Sequence, residues 1–246
     1  MKIYNHIDNS ILKEITDALN NDKLIIFPTD TVYGLACNCF SDKAIKKIYN
    51  SKERNFNKPI AVLTDSISKV NLVVDKINPL EQKLIDKYFP GDLTIIFDKK
   101  KTVPNILTAN KKTIGVRIPN NKIALEILKA YPYPLATTSV NIAGKKAGIR
   151  VDDFIEDFKD KVEIIIDGGN TSEIASTIVR IDNNKINILR EGNIKITSDW
   201  SDFLYYIIIQ TKYSINWYIS NAFFCWKIIF SNSISTTNCK SLHKNR

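Results

Sequence analysis

Residues 113–139, TIGVRIPNNKIALEILKAYPYPLATTS, decide the fold class, because a strand, a helix and a second strand are read inside them. Ile114, Val116 and Ile118 alternate with Gly115 and Arg117, the period of two that a strand with one apolar face requires. A helix fits 121–130, and PLATTS at 134–139 reads as the next strand. Arg117 shares its parity with Thr113 and Gly115, so it lies on the face opposite the apolar residues. On that face it reaches either solvent or a cleft, and in a cleft its guanidinium suits a carboxylate or phosphate.

The same alternation extends in both directions. Upstream, an amphipathic helix near 9–21, with Ile11, Leu12, Ile15, Ala18 and Leu19 on one stripe, leads into the apolar strand KLIIF at 23–27. Further strands are read at 60–63, 93–97, 162–167, 176–181 and 185–190, and further helices near 42–52, 79–88 and 152–159. Some strands are separated by helices and others by short turns, which predicts an α/β domain on a mixed sheet and not a uniformly doubly wound one.

The chain has 246 residues, which at about 150 residues per domain allows one domain with an appendage. Apolar residues are 44% and charged residues 25%, which excludes collagen-like, coiled-coil and wholly disordered chains. Lys and Arg number 35 against 26 Asp and Glu, so a formal charge of +9 favours polyanionic partners such as nucleotides or RNA. Cys37, Cys39, Cys225 and Cys239 lack the paired spacing of a structural zinc site and are read as reduced thiols. His6 and His243 stand at the two ends, which argues against histidine-dependent triads and metal sites. Asp8, Lys13, Glu14 and Asp17 interrupt the N-terminal segment, so no signal peptide is read and a cytoplasmic location is expected.

All eight glycines and eight prolines lie at or before Gly192, while Trp200, Trp217 and Trp226 follow it. A domain is therefore expected over 1–197 and an atypical tail, not a domain, over 198–246. Lys212, Lys227, Asn216, Asn221 and Gln210 break the tail's apolar run below the roughly 18–20 residues a span requires, so membrane insertion is disfavoured. Its Ile, Asn, Lys, Tyr and Phe are also what AT-rich DNA gives in an unintended frame.

Several segments carry candidate chemistry. FPTDTVYGLACN (27–38) presents Thr29, Asp30, Thr31 and Tyr33 where a strand ends at Pro28, placing hydroxyls for a polar ligand or for a turn that bonds its own backbone. KERNFNKPIAVL (52–63) groups Lys52, Arg54 and Lys58, suited to a triphosphate or to a solvated helix end. YFPGDLTIIF (88–97) reads as a structural Pro-Gly turn before a strand. TTSVNIAGKKAG (137–148) sets hydroxyls, an amide and two lysines at a strand end, with neither GxxxxGK[ST] nor GxGxxG spacing. Ser176 and Thr177 open a later strand, and Arg190 stands beside Gly192 in ILREG.

In this order, FPTDTVYGLACN, KERNFNKPIAVL, YFPGDLTIIF, TIGVRIP, TTSVNIAG, IIDGGNTSEIASTIVRI and ILREG resemble the YrdC/TsaC family of threonylcarbamoyl-AMP synthases, from about residue 8 to about residue 195. The resemblance implies a YrdC-like twisted mixed sheet flanked by helices around a basic concave cavity, in the short, single-domain form. It implies a nucleotidyltransferase that joins L-threonine, bicarbonate and ATP into threonylcarbamoyl-AMP with release of pyrophosphate. The product then serves threonylcarbamoyl transferase proteins that modify tRNA next to the anticodon.

By resemblance the KxR signature falls on Lys52 and Arg54, expected as catalytic, and SxN on Ser139 and Asn141. These four, with Lys58, Thr113 and Arg190, are expected to hold ATP, and Thr31, Arg117, Thr137 and Ser176 to hold threonine. Some relatives carry a histidine where Leu63 stands. Mg2+ is expected on the triphosphate, coordinated by phosphate and water, with no protein metal site. Asp30 and Glu53 are unpaired carboxylates near these motifs and candidate modifiers. The rival readings are direct RNA or tRNA binding without catalysis and a carbamoyl-transfer module of altered specificity.

Overall fold

The computed structural model describes residues 1–196. Its elements in chain order are β1 (Lys2–Tyr4), α1 (Asn9–Asn20), β2 (Ile25–Phe27), β3 (Gly34–Asn38), α2 (Asp42–Ser51), β4 (Ala61–Leu63), α3 (Ile67–Val73), α4 (Pro79–Tyr88), β5 (Leu93–Asp98) and β6 (Thr113–Arg117). They continue with α5 (Lys122–Ala130), β7 (Leu135–Ser139), a 3-10 turn (Val151–Asp153), α6 (Ile155–Phe158), β8 (Ile164–Ile166), β9 (Thr177–Asp182) and β10 (Lys185–Arg190). Helix starts are set by side chains that satisfy free first-turn N–H groups. Asp8, Ser41 and Asn121 accept from Ile11, Ala44 and Ala124, and Asn78 forms a capping box with Glu81 around Pro79.

The strands form one twisted mixed sheet in the order β1-β8-β2-β3-β7-β4-β6-β5-β9-β10. Parallel pairs (β1·β8, β8·β2, β4·β6, β5·β9) are interleaved with antiparallel ones (β2·β3, β3·β7, β7·β4, β6·β5, β9·β10). Alternate residues feed two separate cores. Ile26, Leu35, Cys37, Val62, Ile95, Val116, Ala136 and Val179 enter the larger one, with Ile45, Ile48 and Tyr49 of α2 and Leu84 and Ile85 of α4. On the opposite face Ile25, Phe27, Ala36, Leu135 and Ile164 pack with Ile11, Ile15 and Leu19 of α1 and Ala124, Ile127 and Leu128 of α5.

The sequence reading differs from this fold in four places. β1, β3 and α3 were not expected, and the helix expected near 152–159 is a 3-10 turn followed by the four residues of α6. GLACN in β3 lacks β-branched residues and a period of two, and forms a strand because it pairs on both sides, with β2 and β7. Among the described residues no helix is long and apolar enough to cross a membrane. The expectations for 198–246, with Cys225, Cys239 and His243, lie outside the described residues; Cys37 and Cys39 are buried and free.

Candidate active site

Helices α1 and α5 cover only part of their face of the sheet. Over β4, β6 and β5, and just ahead of β9, the same face carries the small or polar side chains Ala61, Gly115, Thr94 and Ser176. The register sets these groups side by side, with Gly34 opposite Ser139, Ala61 opposite Thr137, Leu63 opposite Arg117 and Thr94 opposite Ile178. A Cβ on Gly115 would stand 3.2–3.3 Å from Ile96, Ala61 and Thr94, and one on Gly34 would stand 2.8 Å from the Thr137 methyl. The small residues therefore leave a floor, and above it lies a cleft of about 340 Å3.

Three arginines, Arg54, Arg117 and Arg190, line this cleft together with Thr31, Thr137, Ser139 and Ser176. Seven residues expected at the site on sequence grounds thus share one concavity. Arg117 does not reach solvent: it is 5% exposed. Its Nε donates to Gly91 O at 2.8 Å, Nη1 to Thr31 Oγ1 at 2.8 Å, and Nη2 to Asp30 Oδ1 and to Asp92 Oδ1 at 3.0 Å. Burial opposes ionisation of Asp30, but the charge and hydrogen bonds of Arg117, a hydrogen bond with Asp92 and the Asn120 N–H outweigh it and hold its pKa below the usual value. Asp92 is pushed the other way, first by burial and then by Asp30 beside it.

Hydrogen-bond logic orients Thr31. The Thr29 hydroxyl donates to Val32 O at 2.7 Å, so the 3.0 Å contact between the two hydroxyls has Thr31 as donor while Thr31 accepts from Arg117. Arg190 donates from Nε and Nη2 to Ser176 O, at 3.0 and 2.8 Å, and from Nη2 to Ser176 Oγ at 3.1 Å. Ser176 Oγ lies 2.9 Å from Thr94 Oγ1. Burial lowers the pKa of both Arg54 and Arg190, as expected for cations drawn out of water. Glu173 is the one carboxylate among the described residues that line the cleft.

Lys52, Lys58, Thr113 and Asn141 are not among the cleft-lining residues. Lys52 is 2% exposed and donates to Ser139 O, to Asn141 O at 2.7 Å and to Asn141 Oδ1 at 2.9 Å. Its three acceptors match the three N–H groups of an ammonium, while burial, and Arg54 to a smaller extent, pull its pKa down to about 7. The Ser139 hydroxyl also donates to Asn141 Oδ1, at 2.7 Å, so the KxR and SxN segments are tied into one unit behind the cleft. Lys58 is exposed, and its carbonyl accepts from Arg54 Nε and Tyr49 Oη. Glu53, exposed at φ 52°, takes no part in the site.

Sequence reasoning missed Thr94, Ile178, Glu173 and the Gly91–Asp92 turn. The last was read as structural only, because no local spacing shows that Arg117 comes to rest on it. Among the described residues no group of three or more His, Cys, Asp or Glu is placed to hold a metal ion.

The family profile Sua5_yciO_yrdC, described as telomere recombination, matches residues 17–192. A relative from Methanocaldococcus jannaschii is 38% identical over 187 residues, covering 76% of this chain and 87% of its own. One from Pyrococcus abyssi, named threonylcarbamoyl-AMP synthase, is 32% identical over 179 residues, with 72% of this chain covered; the chain spans 53% of that relative's length. The crystal structure of P. abyssi Sua5 complexed with L-threonine superposes with a TM-score of 0.75 and 31% identity, covering 78% of this chain and 58% of that one. E. coli YciO, at a TM-score of 0.70 and 22% identity, covers 81% of this chain and 96% of its own and shares the fold.

Proposed function

This chain belongs to the Sua5/YciO/YrdC family, and from that membership we propose that it is an L-threonylcarbamoyladenylate synthase. One observation carries the reading: three arginines and the hydroxyls of Thr31, Thr137, Ser139 and Ser176, from segments far apart in sequence, line one cleft. In this reading Thr31, Arg117, Thr137 and Ser176 receive L-threonine, the amino acid bound in the complex of P. abyssi Sua5. Arg54, Ser139 and Arg190 face the triphosphate, and Lys52 and Asn141, behind the cleft, hold Ser139 in place; Lys58 and Thr113, which do not line the cleft, are left out of that subsite.

The chemistry fits this cleft. The amine of threonine condenses with bicarbonate, losing water, and the resulting carbamate oxygen attacks the α-phosphorus of ATP while pyrophosphate leaves. Carbamate and triphosphate are both anions, so their mutual repulsion opposes the encounter. Arg54 and Arg190 lower that repulsion and stabilise charge on the phosphoryl oxygens, and positioning supplies the remainder because the cleft offers no covalent nucleophile. Mg2+ would come with ATP and offset charge on the triphosphate, and Glu173 is the carboxylate among the described residues that line the cleft. The product is a reactive mixed anhydride, to be consumed by transferase proteins acting on tRNA. Pyrophosphate release from ATP, measured with and without threonine and bicarbonate, tests the assignment: release that depends on both supports it, and release indifferent to both refutes it.

A further inference from the structure

The Pro-Gly-Asp turn ahead of β5 does more than reverse the chain. Arg117 has five N–H donors, and four are engaged: Nε with Gly91 O, Nη1 with Thr31 Oγ1, and both Nη2 donors with Asp30 and Asp92. One Nη1 N–H is left without a protein acceptor among the described residues, on a side chain that lines the cleft. Asp92 is itself held. Its Oδ2 accepts from Asn193 Nδ2 at 2.9 Å, and its backbone carbonyl accepts from Thr177 N at 2.9 Å, next to Ser176.

We propose that Asp92 is a positioning residue for recognition of the amino-acid carboxylate: with Asp30 and the Gly91 carbonyl it holds the Arg117 guanidinium edge, leaving a single N–H for the substrate. The proposal rests on the synthase reading above. Its physical basis is that a free arginine turns and offers a two-pronged grip to any carboxylate or phosphate, whereas one clamped on three sides offers one donor in one direction. Asp92 further links Arg117 on β6 to the start of β9, so the two groups expected at threonine are held at a fixed spacing.

Steady-state pyrophosphate release by Asp92→Ala, Asp92→Asn and Asn193→Ala in the full chain tests this. Asp92→Ala is expected to raise the threonine KM about tenfold, the worth of one charged hydrogen bond, with the ATP KM within about twofold of wild type. Asp92→Asn retains an oxygen that accepts from Arg117, and stays within about threefold of wild type by the same measure. Asn193→Ala, which frees one carboxylate oxygen, falls between them and reports on the clamp if Asp92→Ala does not accumulate folded. An unchanged threonine KM in Asp92→Ala, equal rises for threonine and ATP, or an Asp92→Asn protein as impaired as Asp92→Ala overturns the proposal. Wild-type release that requires threonine and bicarbonate keeps the synthase reading whichever way these variants fall. Wild-type protein that releases no pyrophosphate overturns both.

Discussion

Arg54 and Arg117 are both cleft arginines, yet their surroundings differ. Arg54 spends Nε and one Nη2 donor on the carbonyls of Lys58 and Pro59, which orient the guanidinium without neutralising it. Its charge stays available to phosphate, so Arg54→Ala is expected to lower kcat/KM for ATP by about ten- to a hundredfold, the worth of one or two charged hydrogen bonds, in a pyrophosphate-release assay. Arg117 is instead balanced by carboxylates, and this couples stability to pH. The folded-state pKa of Asp30 is depressed, so its contribution is present above the unfolded value and is lost as pH falls through the folded one. Denaturant unfolding between pH 3 and 6 should show a pH-dependent loss in wild type that is smaller in Asp30→Asn. Equal slopes for the two proteins would remove Asp30 from the ion pair's energetics. At this scale the parity of Arg117 was legible in the local alternation but its partners were not, because Asp30 and Asp92 lie 87 and 25 positions away from it.

At the scale of elements, the strands that place the site, β3 excepted, were legible in their apolar pattern, while the contacts between segments were not. Gly192 shows why. A Cβ there would stand 2.2 Å from Ala175 O and 2.5 Å from Ser176 C and Thr177 N, all backbone atoms that have little room to give. The chain after β10 can cross the start of β9 only because residue 192 has no side chain, and that crossing brings Arg190 onto Ser176. Gly192→Ala should therefore cost about 1–3 kcal/mol in thermal or denaturant unfolding, the usual range for overpacking. It should also raise the KM values for threonine and ATP together, since the residues proposed for each move as a pair. A Gly192→Ala protein with wild-type stability and kinetics would show that the crossing relaxes freely.

For the molecule as a whole, the described strands all join one sheet and both cores lie within Met1–Ile196, with Ile196 itself 8% exposed against the larger core. A chain ending at Ile196 is expected to unfold in one cooperative transition and to keep threonine-dependent pyrophosphate release; loss of either would assign the remaining residues a part in the fold or the site. The amino-acid order alone was sufficient for the α/β class, for most strands and helices, and for cations and hydroxyls suited to a triphosphate and a small polar ligand, because periodicity and turn chemistry act over a few neighbouring positions; the amino acid entered only through the family resemblance. Only the folded chain decided that seven of those residues share one cleft, that Lys52 stands behind it tying Ser139 to Asn141, and that a turn of structural appearance cradles Arg117. Those outcomes depend on which strands become neighbours in the sheet and on side-chain contacts between residues far apart in sequence, and a linear pattern records neither.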